Sequence, residues 1–226
     1  MKDLIVFDMD GVLVDVSESY RATIQATVLH FTGVEPTGDE IQDWKNRGGW
    51  NDDWKLSHRM IQECGEEASY DAVVERFQQI FLGGNGDGLI LRERWVAAQG
   101  LFDRLAANYT LAIFTGRFSE EAKLTLDRFA PDLFDPVVGV DQVTNPKPHP
   151  EGLQKIRATV PHRNIWYLGD TVDDARSARA AGIPFIGIAS PSAPRHEDLV
   201  RLLREEQAIA VLDDINSLEA VIAPNR

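Results

Sequence analysis

The sequence predicts an α/β protein built on a doubly wound parallel sheet, with an all-helical segment inserted after the first strand. Short, continuously apolar segments recur along the chain, as in parallel strands that helices cover on both faces. Helical patterns lie between most of these segments, which is the order of elements in a doubly wound sheet. Residues 15–88 break this alternation, because they show helical patterns only.

Six segments have the composition of buried strands. The first is apolar from Leu4 to Phe7 and ends abruptly at Asp8. The others follow along the chain at 110–114, 136–139, 164–168, 184–188 and 208–212. Because they are short and mainly apolar, we expect these segments to lie in one parallel sheet with both faces covered.

The helices between these strands are indicated by apolar spacing and by end signals. A helix with apolar residues up to Phe129 is expected to begin after an N-cap at Ser119. An alanine-rich helix is expected to end at Gly182. Two C-terminal helices, at 197–204 and 216–222, are expected to be part of the scaffold.

The helical block near the start of the chain is expected to be a separate domain. Tyr20 and Tyr70 each begin a series of apolar residues at helical spacing, and a glycine-rich run at 83–88 ends the block. We therefore expect a core domain of residues 1–14 and 89–226, and a helical cap domain of residues 15–88. The two connections, near 14–16 and 83–88, are the expected hinges.

Composition and charge restrict the possible partners. Hydrophobic residues make up 43% and charged residues 26% of the 226 positions, as in an ordinary globular protein. The net charge of −13 disfavours nucleic acid and anionic membranes as partners. The apolar segment at the N-terminus is too short for a signal peptide, so the expected location is cytoplasmic. The single cysteine, Cys64, excludes an internal disulfide and a cysteine-cluster metal site.

Four polar clusters each follow the end of a predicted strand. They are Asp8 with Asp10, residues 115–117, Lys147 with its neighbouring prolines, and residues 169–174. In an open parallel sheet the carboxyl ends of the strands face one crevice, where ligands bind. We therefore expect the four clusters to meet at one edge of the sheet.

Asp8 and Asp10 are candidates for nucleophilic and proton-transfer chemistry. One carboxylate can attack an electrophile while the other handles protons. The alternative is a solvated strand end followed by a turn at Gly11.

The acidic residues of the fourth cluster suggest a cation. Asp173 and Asp174 could instead cap a helix, since carboxylates in a first turn satisfy orphan amides. Asp170 and Asp174 facing Asp8 and Asp10 would repel one another unless a cation lay between them. Few, hard oxygen ligands favour Mg²⁺, which binds alongside phosphate groups.

Lys147 and the cluster at 115–117 supply the complementary anion-binding groups. Prolines on both sides of Lys147 stiffen the backbone, and its ammonium could offset the charge of a nucleophile and a phosphate. The alternative is an exposed lysine in a proline-rich loop. The hydroxyl of Thr115 and the amide of Gly116, at a helix start, could form an anion cradle, although an isolated tripeptide is a weak signal.

In this order and at these positions, the four clusters resemble the motifs of the haloacid dehalogenase-like superfamily. The resemblance is to its phosphoglycolate phosphatase-like and β-phosphoglucomutase-like branch, which has a Rossmann-like core and a helical cap inserted after the first motif. It implies that Asp8 forms an aspartyl-phosphate, and that Asp10 protonates the leaving oxygen and then takes a proton from water. It also implies that Thr115, the Gly116 amide and Lys147 bind the phosphoryl group.

The same resemblance implies a magnesium site. Asp8, the backbone carbonyl of Asp10 and Asp170 would be its ligands, and Asp174 would either ligate Mg²⁺ through water or hold Lys147. The presence of Asp10 argues against a dehalogenase, because the halide-removing relatives lack that aspartate. Phosphonate-cleaving relatives, which use a cap lysine, are disfavoured but not excluded, since the cap contains Lys45 and Lys55.

Three further residues are candidates for substrate binding. Arg117 stands where many relatives have a small polar residue, so it either binds a second anionic group of the substrate or forms a structural salt bridge. Arg47 and Asn51 lie in the cap segment, whose residues choose the substrate in this branch. The alternative there is a loop whose tryptophans pack the cap core and whose charges are solvated.

The resulting functional prediction is a Mg²⁺-dependent phosphatase that acts on a small phosphorylated metabolite, as a monomer or homodimer. A phosphomutase using the same two aspartates is the first alternative, since mutases return the phosphoryl group to the sugar instead of passing it to water. A non-catalytic binding protein on the same fold is the second.

Overall fold

The computed structural model describes residues 2–84 and 86–222, which form two compact units. One unit comprises Met1–Val14 and Trp95–Arg226, and the other comprises Asp15–Arg94. The chain returns from the second unit to the first between Arg94 and Trp95, which is beyond the glycine-rich run at 83–88. Position 85 of that run is outside the described residues. The domain boundaries and hinges predicted from the sequence stay predictions.

The first unit is built on a six-stranded parallel sheet, which confirms the predicted fold class. Its strands are arranged in the order β5-β4-β1-β6-β7-β8. In chain order, the strands of the protein are β1 (Asp3–Phe7), β2 (Val14–Asp15), β3 (Arg94–Trp95), β4 (Tyr109–Phe114), β5 (Val137–Val138), β6 (Ile165–Gly169), β7 (Phe185–Ile188) and β8 (Ala210–Leu212). β2 and β3 form a separate two-stranded sheet.

The second unit is helical. Its helices are α1 (Tyr20–Thr32), α2 (Gly38–Arg47), α3 (Asp53–Glu63) and α4 (Tyr70–Leu82), followed by a short 3₁₀ helix at Leu89–Arg92. The apolar residues at helical spacing pack α1 against α4, with the ring centroids of Tyr20 and Phe81 4.0 Å apart. α2 begins with a capping box, in which Thr37 and Glu40 each bond the other's backbone amide.

The helices of the first unit cover the sheet. They are α5 (Leu101–Asn108), α6 (Ser119–Phe129), α7 (Glu151–Thr159), α8 (Val172–Ala181), α9 (His196–Glu205) and α10 (Glu219–Ile222), with 3₁₀ turns at Val140–Gln142 and Ile215–Ser217. α8 ends at Gly182 in the left-handed conformation, as predicted. The N-cap predicted at Ser119 is wrong: Phe118 is the cap, and the Ser119 hydroxyl donates to Asp141 Oδ1 at 2.9 Å.

The register of the central strands determines where the site forms. Phe7, the last residue of β1, lies opposite Ile113 of β4 and Leu168 of β6. The residues that follow these positions therefore emerge at the same edge of the sheet. Within the described residues, none of the helices combines the length and the apolar character needed to cross a lipid bilayer.

Candidate active site

Asp8 lies directly after β1, buried at the carboxyl edge of the sheet. Its backbone amide donates to Leu168 O at 2.8 Å, which continues the β1–β6 pairing by one residue. The side chain forms an ion pair with Lys147, whose Nζ lies 2.9 Å from Asp8 Oδ1. Burial raises the pKa of Asp8 well above its ordinary value, and the Lys147 ammonium opposes this while nearby carboxylates add to it.

Lys147 is buried between two carboxylates, so the alternative of an exposed lysine in a proline-rich loop is wrong. Its Nζ lies 2.7 Å from Asp174 Oδ1 as well as contacting Asp8. The ammonium also lies 5.0 Å from the ring centroid of Phe114. Burial lowers the pKa of Lys147, but the charges of Asp174 and Asp8 outweigh it and raise the pKa above its ordinary value.

Asp174 accepts contacts on both carboxylate oxygens. Oδ1 contacts Lys147 and accepts the Tyr167 hydroxyl at 2.6 Å. Oδ2 accepts the Thr171 amide at 3.1 Å and the Thr171 hydroxyl at 2.6 Å. The Asp174 amide in turn donates to Thr171 Oγ1 at 3.2 Å, which completes the capping box of α8. Burial raises the pKa of Asp174, but Lys147 and these hydrogen bonds outweigh it and lower the pKa. The N-cap of α8 is therefore Thr171, and Asp174 completes its capping box while holding Lys147.

Tyr167 is a member of this network that the sequence did not identify. It lies fully buried in β6, and its hydroxyl also lies 3.3 Å from Phe114 O. Burial and the neighbouring carboxylates raise the pKa of Tyr167 well above its ordinary value. The phenol therefore stays protonated, and its O–H donates the hydrogen bond to Asp174. In the sequence, Tyr167 is one aromatic residue among several in a buried strand, and nothing there distinguishes a packed ring from a hydrogen-bond donor.

Asp170 completes a group of three carboxylates. One oxygen each from Asp8, Asp170 and Asp174 lies within 4.8 Å of the other two. Asp170 also lies against Gly11, where an added Cβ would be 2.0 Å from Asp170 Oδ2. Gly11 has φ +70°, so the turn after Asp10 requires glycine both for its backbone and for the approach of Asp170.

The three carboxylates fit a magnesium ion. They offer only oxygen atoms, the donors that Mg²⁺ prefers. Besides burial, the like charges of Asp174, Asp10 and Asp170 raise the pKa of Asp8, and a bound cation would relieve this repulsion. The Asp10 side chain is outside the group of three, while the sequence assigned only its backbone carbonyl to the metal, so that assignment stays a prediction.

Thr115 and Gly116 follow β4, the strand beside β1. The Thr115 amide donates to Val138 O at 3.0 Å, which extends the β4–β5 pairing to the edge where Asp8 emerges. The Thr115 side chain is buried, and its Oγ1 accepts the Arg117 amide at 3.2 Å. The register thus brings both residues to the predicted edge, and their binding of phosphoryl oxygens stays a prediction.

Arg117 pairs with Asp10. Its Nε donates to Asp10 Oδ1 at 2.8 Å, its Nη2 contacts the same oxygen, and its Nη1 donates to Thr125 Oγ1 at 2.8 Å. The side chain is 1% exposed, whereas that of Asp10 is 30% exposed. Of the two alternatives for Arg117, this arrangement is the salt bridge. Thr125 was not identified in the sequence, because a threonine on a helix carries no signal of its distant partner.

The cap candidates Arg47 and Asn51 lie in the second unit. The Arg47 guanidinium lies 4.4 Å from the ring centroid of Trp44, which in turn makes an edge contact with Trp50. Lys45, by contrast, is tied to Asp53 at 2.6 Å. Trp44 and Trp50 thus contact each other, as the structural alternative supposed, but Lys45 is paired with Asp53 and not solvated. Substrate binding by Arg47 and Asn51 stays a prediction.

Comparison with known proteins adds family information to this geometry. A family model described as haloacid dehalogenase-like hydrolase matches residues 5–188. An imidazoleglycerol-phosphate dehydratase of Phytophthora nicotianae is 34% identical over 199 residues, but this chain spans only 43% of that protein's length. The match covers 83% of this chain.

Two further similarities cover most of both proteins. A phosphoglycolate phosphatase of Rhodobacter capsulatus is 26% identical over 196 residues, which are 82% of this chain and 84% of that relative. The crystal structure of a haloacid dehalogenase-like protein of unknown function from Agrobacterium tumefaciens covers 99% of this chain and 98% of its own, with 21% identity and a TM-score of 0.74. The latter likeness concerns the fold alone.

The matched region includes every cluster that carries the predicted chemistry, from Asp8 through Lys147 to Asp174. The resemblance stated from the sequence is confirmed, and so is the prediction of a phosphatase as the class of enzyme. The chain belongs to the haloacid dehalogenase-like hydrolase family.

Proposed function

We propose that this phosphatase is Mg²⁺-dependent and hydrolyses a small phosphorylated metabolite through an aspartyl-phosphate on Asp8. The observation that carries the proposal is the buried Asp8–Lys147 ion pair at the carboxyl end of β1, with Asp170 and Asp174 beside it. A buried carboxylate with one cation and two more acids nearby is costly for the fold alone, and it suits phosphoryl transfer.

In the first step, an Asp8 oxygen attacks phosphorus. The bond between phosphorus and the leaving oxygen breaks as the bond to Asp8 forms, and Asp10 gives its proton to the leaving oxygen. An alkoxide is a poor leaving group, so this proton matters most for alkyl phosphates.

In the second step, a water oxygen attacks the phosphorus of the aspartyl-phosphate. Asp10 takes a proton from this water, the phosphorus–Asp8 bond breaks, and inorganic phosphate leaves with Asp8 regenerated. Asp10 thus ends protonated, ready for another cycle, and the net reaction is hydrolysis of the ester by one water.

Positive charge and positioning supply the rest of the catalysis. Lys147 lies within contact of the nucleophile, and Thr115 and Gly116 would hold phosphoryl oxygens from the neighbouring strand. Asp8 and Asp170 would hold Mg²⁺, which when bound neutralises the developing charge on the phosphoryl group. In the structure, Lys147 contacts one carboxylate oxygen of Asp174 and the Thr171 hydroxyl donates to the other. We therefore assign Asp174 to holding Lys147 rather than to direct ligation of Mg²⁺.

The proposed substrate is a small phosphate monoester, with carboxylated compounds as the first class to test. The similarity to a phosphoglycolate phosphatase over most of both chains supports this choice. Phosphate release should be measured over a panel of phosphoglycolate, phosphoserine and sugar phosphates, with Mg²⁺ and with a chelator. We expect activity only with the metal.

The decisive variant for the covalent mechanism is Asp8→Asn, which should release no phosphate from any compound. Asp127→Asn is the matched control, because Asp127 is an exposed acid paired with Lys123 on the helix surface. Activity surviving in Asp8→Asn would eliminate the aspartyl-phosphate.

The same panel separates hydrolysis from the phosphomutase alternative. With β-glucose 1-phosphate as substrate, a hydrolase yields free phosphate and a mutase yields glucose 6-phosphate. We expect free phosphate, and glucose 6-phosphate as the main product would replace the proposed hydrolysis by phosphomutation.

A further inference from the structure

We propose that Arg117 is a positioning residue for Asp10: it holds one carboxylate oxygen, Oδ1, so that the transferred proton is carried on the other, Oδ2. This inference rests on the proposed function, since it concerns the residue that protonates the leaving group. It gives Arg117 a role through Asp10 instead of direct contact with the substrate.

The contacts between the two side chains are one-sided. Nε donates to Asp10 Oδ1 at 2.8 Å, and Nη2 contacts the same Oδ1. Among the hydrogen bonds and ion pairs that the structure describes for Asp10, all those of the side chain are made by Oδ1. The usual arrangement of arginine with a carboxylate uses both oxygens, so this one distinguishes them.

The chemistry of a carboxyl group turns this asymmetry into a location for the proton. When Asp10 is protonated, the proton occupies the oxygen that is not receiving N–H donors, and Oδ1 remains an acceptor as the carbonyl oxygen. The pair therefore persists whether or not Asp10 carries a proton. Arg117 does not compete for that proton, because a guanidinium stays charged in proteins.

The burial of the Arg117 and Asp10 side chains is consistent with this arrangement. The Arg117 side chain is 1% exposed, while 30% of the Asp10 side chain is exposed. The guanidinium is thus buried behind Asp10, while the Asp10 side chain keeps enough exposure for a leaving group to reach it.

Arg117 is itself fixed by neighbours on two other elements. Nη1 donates to Thr125 Oγ1 on α6 at 2.8 Å, and the backbone carbonyl accepts the Val140 amide at 2.9 Å. The Arg117 amide also donates to Thr115 Oγ1 at 3.2 Å. The residue therefore connects the proposed acid to the strand end that carries the proposed phosphate-binding threonine.

The test compares kcat/KM for two phosphate esters that differ in leaving group. p-Nitrophenyl phosphate releases a stable phenolate and needs little protonation, whereas the alkyl phosphate of the panel with the highest rate needs the acid. The value of kcat/KM reports steps up to departure of the leaving group, so the later use of Asp10 with water does not enter it.

We expect Arg117→Lys to lower kcat/KM for the alkyl ester by about 10- to 100-fold, and for the aryl ester by less than about 3-fold, since general acid catalysis contributes about 10²–10⁴-fold. Thr125→Val removes a hydrogen-bond partner of the guanidinium but leaves the charges of Arg117 and Asp10. It should also lower kcat/KM more for the alkyl ester than for the aryl ester, but by smaller factors. In the background of Asp10→Asn, adding Arg117→Lys should cause no further loss. Arg128→Lys is the control, because the Arg128 guanidinium lies over the Phe129 ring on the same helix.

Equal losses for both esters in the folded variants, or additive losses in the double variant, would overturn the positioning role. A fall for the aryl ester as large as for the alkyl ester would place Arg117 on the phosphoryl group or in the scaffold instead. If either of these contradicting results appears while Asp8→Asn is inactive, the proposed hydrolysis stands and only the positioning role of Arg117 fails. Activity in Asp8→Asn overturns both.

Discussion

At the scale of single residues, the acids of the site are distinguished by their partners. Asp8 and Asp174 share one ammonium, but only Asp174 also receives the Tyr167 and Thr171 hydroxyls. Burial raises the pKa of both acids, but at Asp174 the Lys147 ammonium, helped by these hydroxyl donors, outweighs burial and lowers the pKa, whereas the pKa of Asp8 stays raised. The partner set, rather than position in the chain, thus explains why the pKa values of these two buried acids are shifted in opposite directions.

Removing the Tyr167 hydroxyl should loosen Asp174 and Lys147 together. In Tyr167→Phe, Asp174 loses a buried donor at 2.6 Å, so we expect the free energy of unfolding to fall by about 1–3 kcal/mol. Phosphate release should fall about tenfold, because Asp174 would hold Lys147 less firmly; this is the size of effect seen when a hydrogen-bond partner behind a functional group is removed. Urea unfolding and kcat/KM measure the two effects.

The control for this variant is Tyr109→Phe, whose hydroxyl donates to Ile222 O at 3.4 Å. It should leave phosphate release unchanged. If Tyr167→Phe is destabilised but fully active, the phenol supports only the fold and not the position of Lys147.

Gly11 offers a second test at this scale. In Gly11→Ala the new Cβ would meet Asp170 Oδ2 at 2.0 Å, and the backbone would keep a left-handed φ of +70°. We expect a loss of about 1–3 kcal/mol from the backbone, and displacement of Asp170 with a raised Mg²⁺ requirement for activity. The Mg²⁺ titration of phosphate release measures the second effect.

Gly182→Ala is the control that separates backbone strain from displacement of Asp170. Gly182 has φ +66° and its added Cβ would meet nothing within 4 Å, so this variant should lose stability with an unchanged Mg²⁺ titration. Equal Mg²⁺ titrations in the two variants would show that Asp170 does not depend on the missing Cβ of Gly11.

At the scale of elements, one helix start organises the loop before Lys147. Glu151, the first residue of α7, accepts the amides of Thr144 and Asn145, each at 2.9 Å, and an amide N–H of the Asn145 side chain at 3.0 Å. Lys155, one turn later, lies 3.0 Å from the same carboxylate. The loop that leads to Lys147 is therefore tied back to the helix that follows it.

These bonds make a pH dependence of stability that can be measured. The hydrogen bond from the Thr144 amide, with Lys155 and Asn145, lowers the pKa of Glu151 from 4.5 to about 2. A lowered pKa means that the folded state prefers the anion, so the contribution to stability is complete above about pH 4.5 and disappears as the pH falls to about 2. Glu151→Gln should therefore lower Tm at pH 7, with a difference from the parent that shrinks across this range.

Glu120→Gln is the matched control, since Glu120 is also an acid in the first turn of a helix, α6. Glu120→Gln leaves the bonds from Thr144 and Asn145 to Glu151 in place, so it should lower Tm at pH 7 by less than Glu151→Gln does. A constant difference for Glu151→Gln between pH 4.5 and 2 would show that shape, and not charge, explains its effect.

The elements themselves were largely predictable from the sequence, because burial on both faces leaves a continuous apolar run. Leu4–Phe7 is fully buried in β1, and the abrupt change to Asp8 predicts the strand end closely. The start of α6 was placed one residue late, because Ser119 is a frequent capping residue and its actual partner, Asp141, is remote in sequence.

At the scale of the whole molecule, the predictable part of the site was its convergence. Strand order and register bring Asp8, Thr115 and Asp170 to one edge, and clusters at strand ends contain that information in advance. The buried network behind them was not predictable: Tyr167 and Thr125 act through contacts that depend on which helix packs where. Arg117 was recognised as unusual, but its partner Asp10 could be chosen only with coordinates.

The charge of the whole chain affects how metal binding must be measured. A net charge of −13 means that any salt will screen repulsion across the surface and stabilise the fold somewhat. A specific site instead stabilises by an amount that grows with the logarithm of the Mg²⁺ concentration above the dissociation constant, and this amount depends on individual ligands. The three clustered carboxylates predict the second kind of effect in addition to the first.

Mg²⁺ should raise Tm beyond the effect of NaCl at equal ionic strength, by an amount that corresponds to about 2.7 kcal/mol at a hundred times the dissociation constant. Asp170→Asn should lose this increment, because it removes one of three oxygens that lie within 4.8 Å of one another. With chelator present, the same variant should melt at or above the temperature of the parent, since one repelling charge has gone.

Asp127→Asn removes the same charge from an exposed pair and should keep the whole Mg²⁺ increment. Thermal melts of the three proteins decide the matter: an increment that survives in Asp170→Asn would mean that Mg²⁺ acts only through the acidic surface, and the acid cluster at the sheet edge would then not be a metal site.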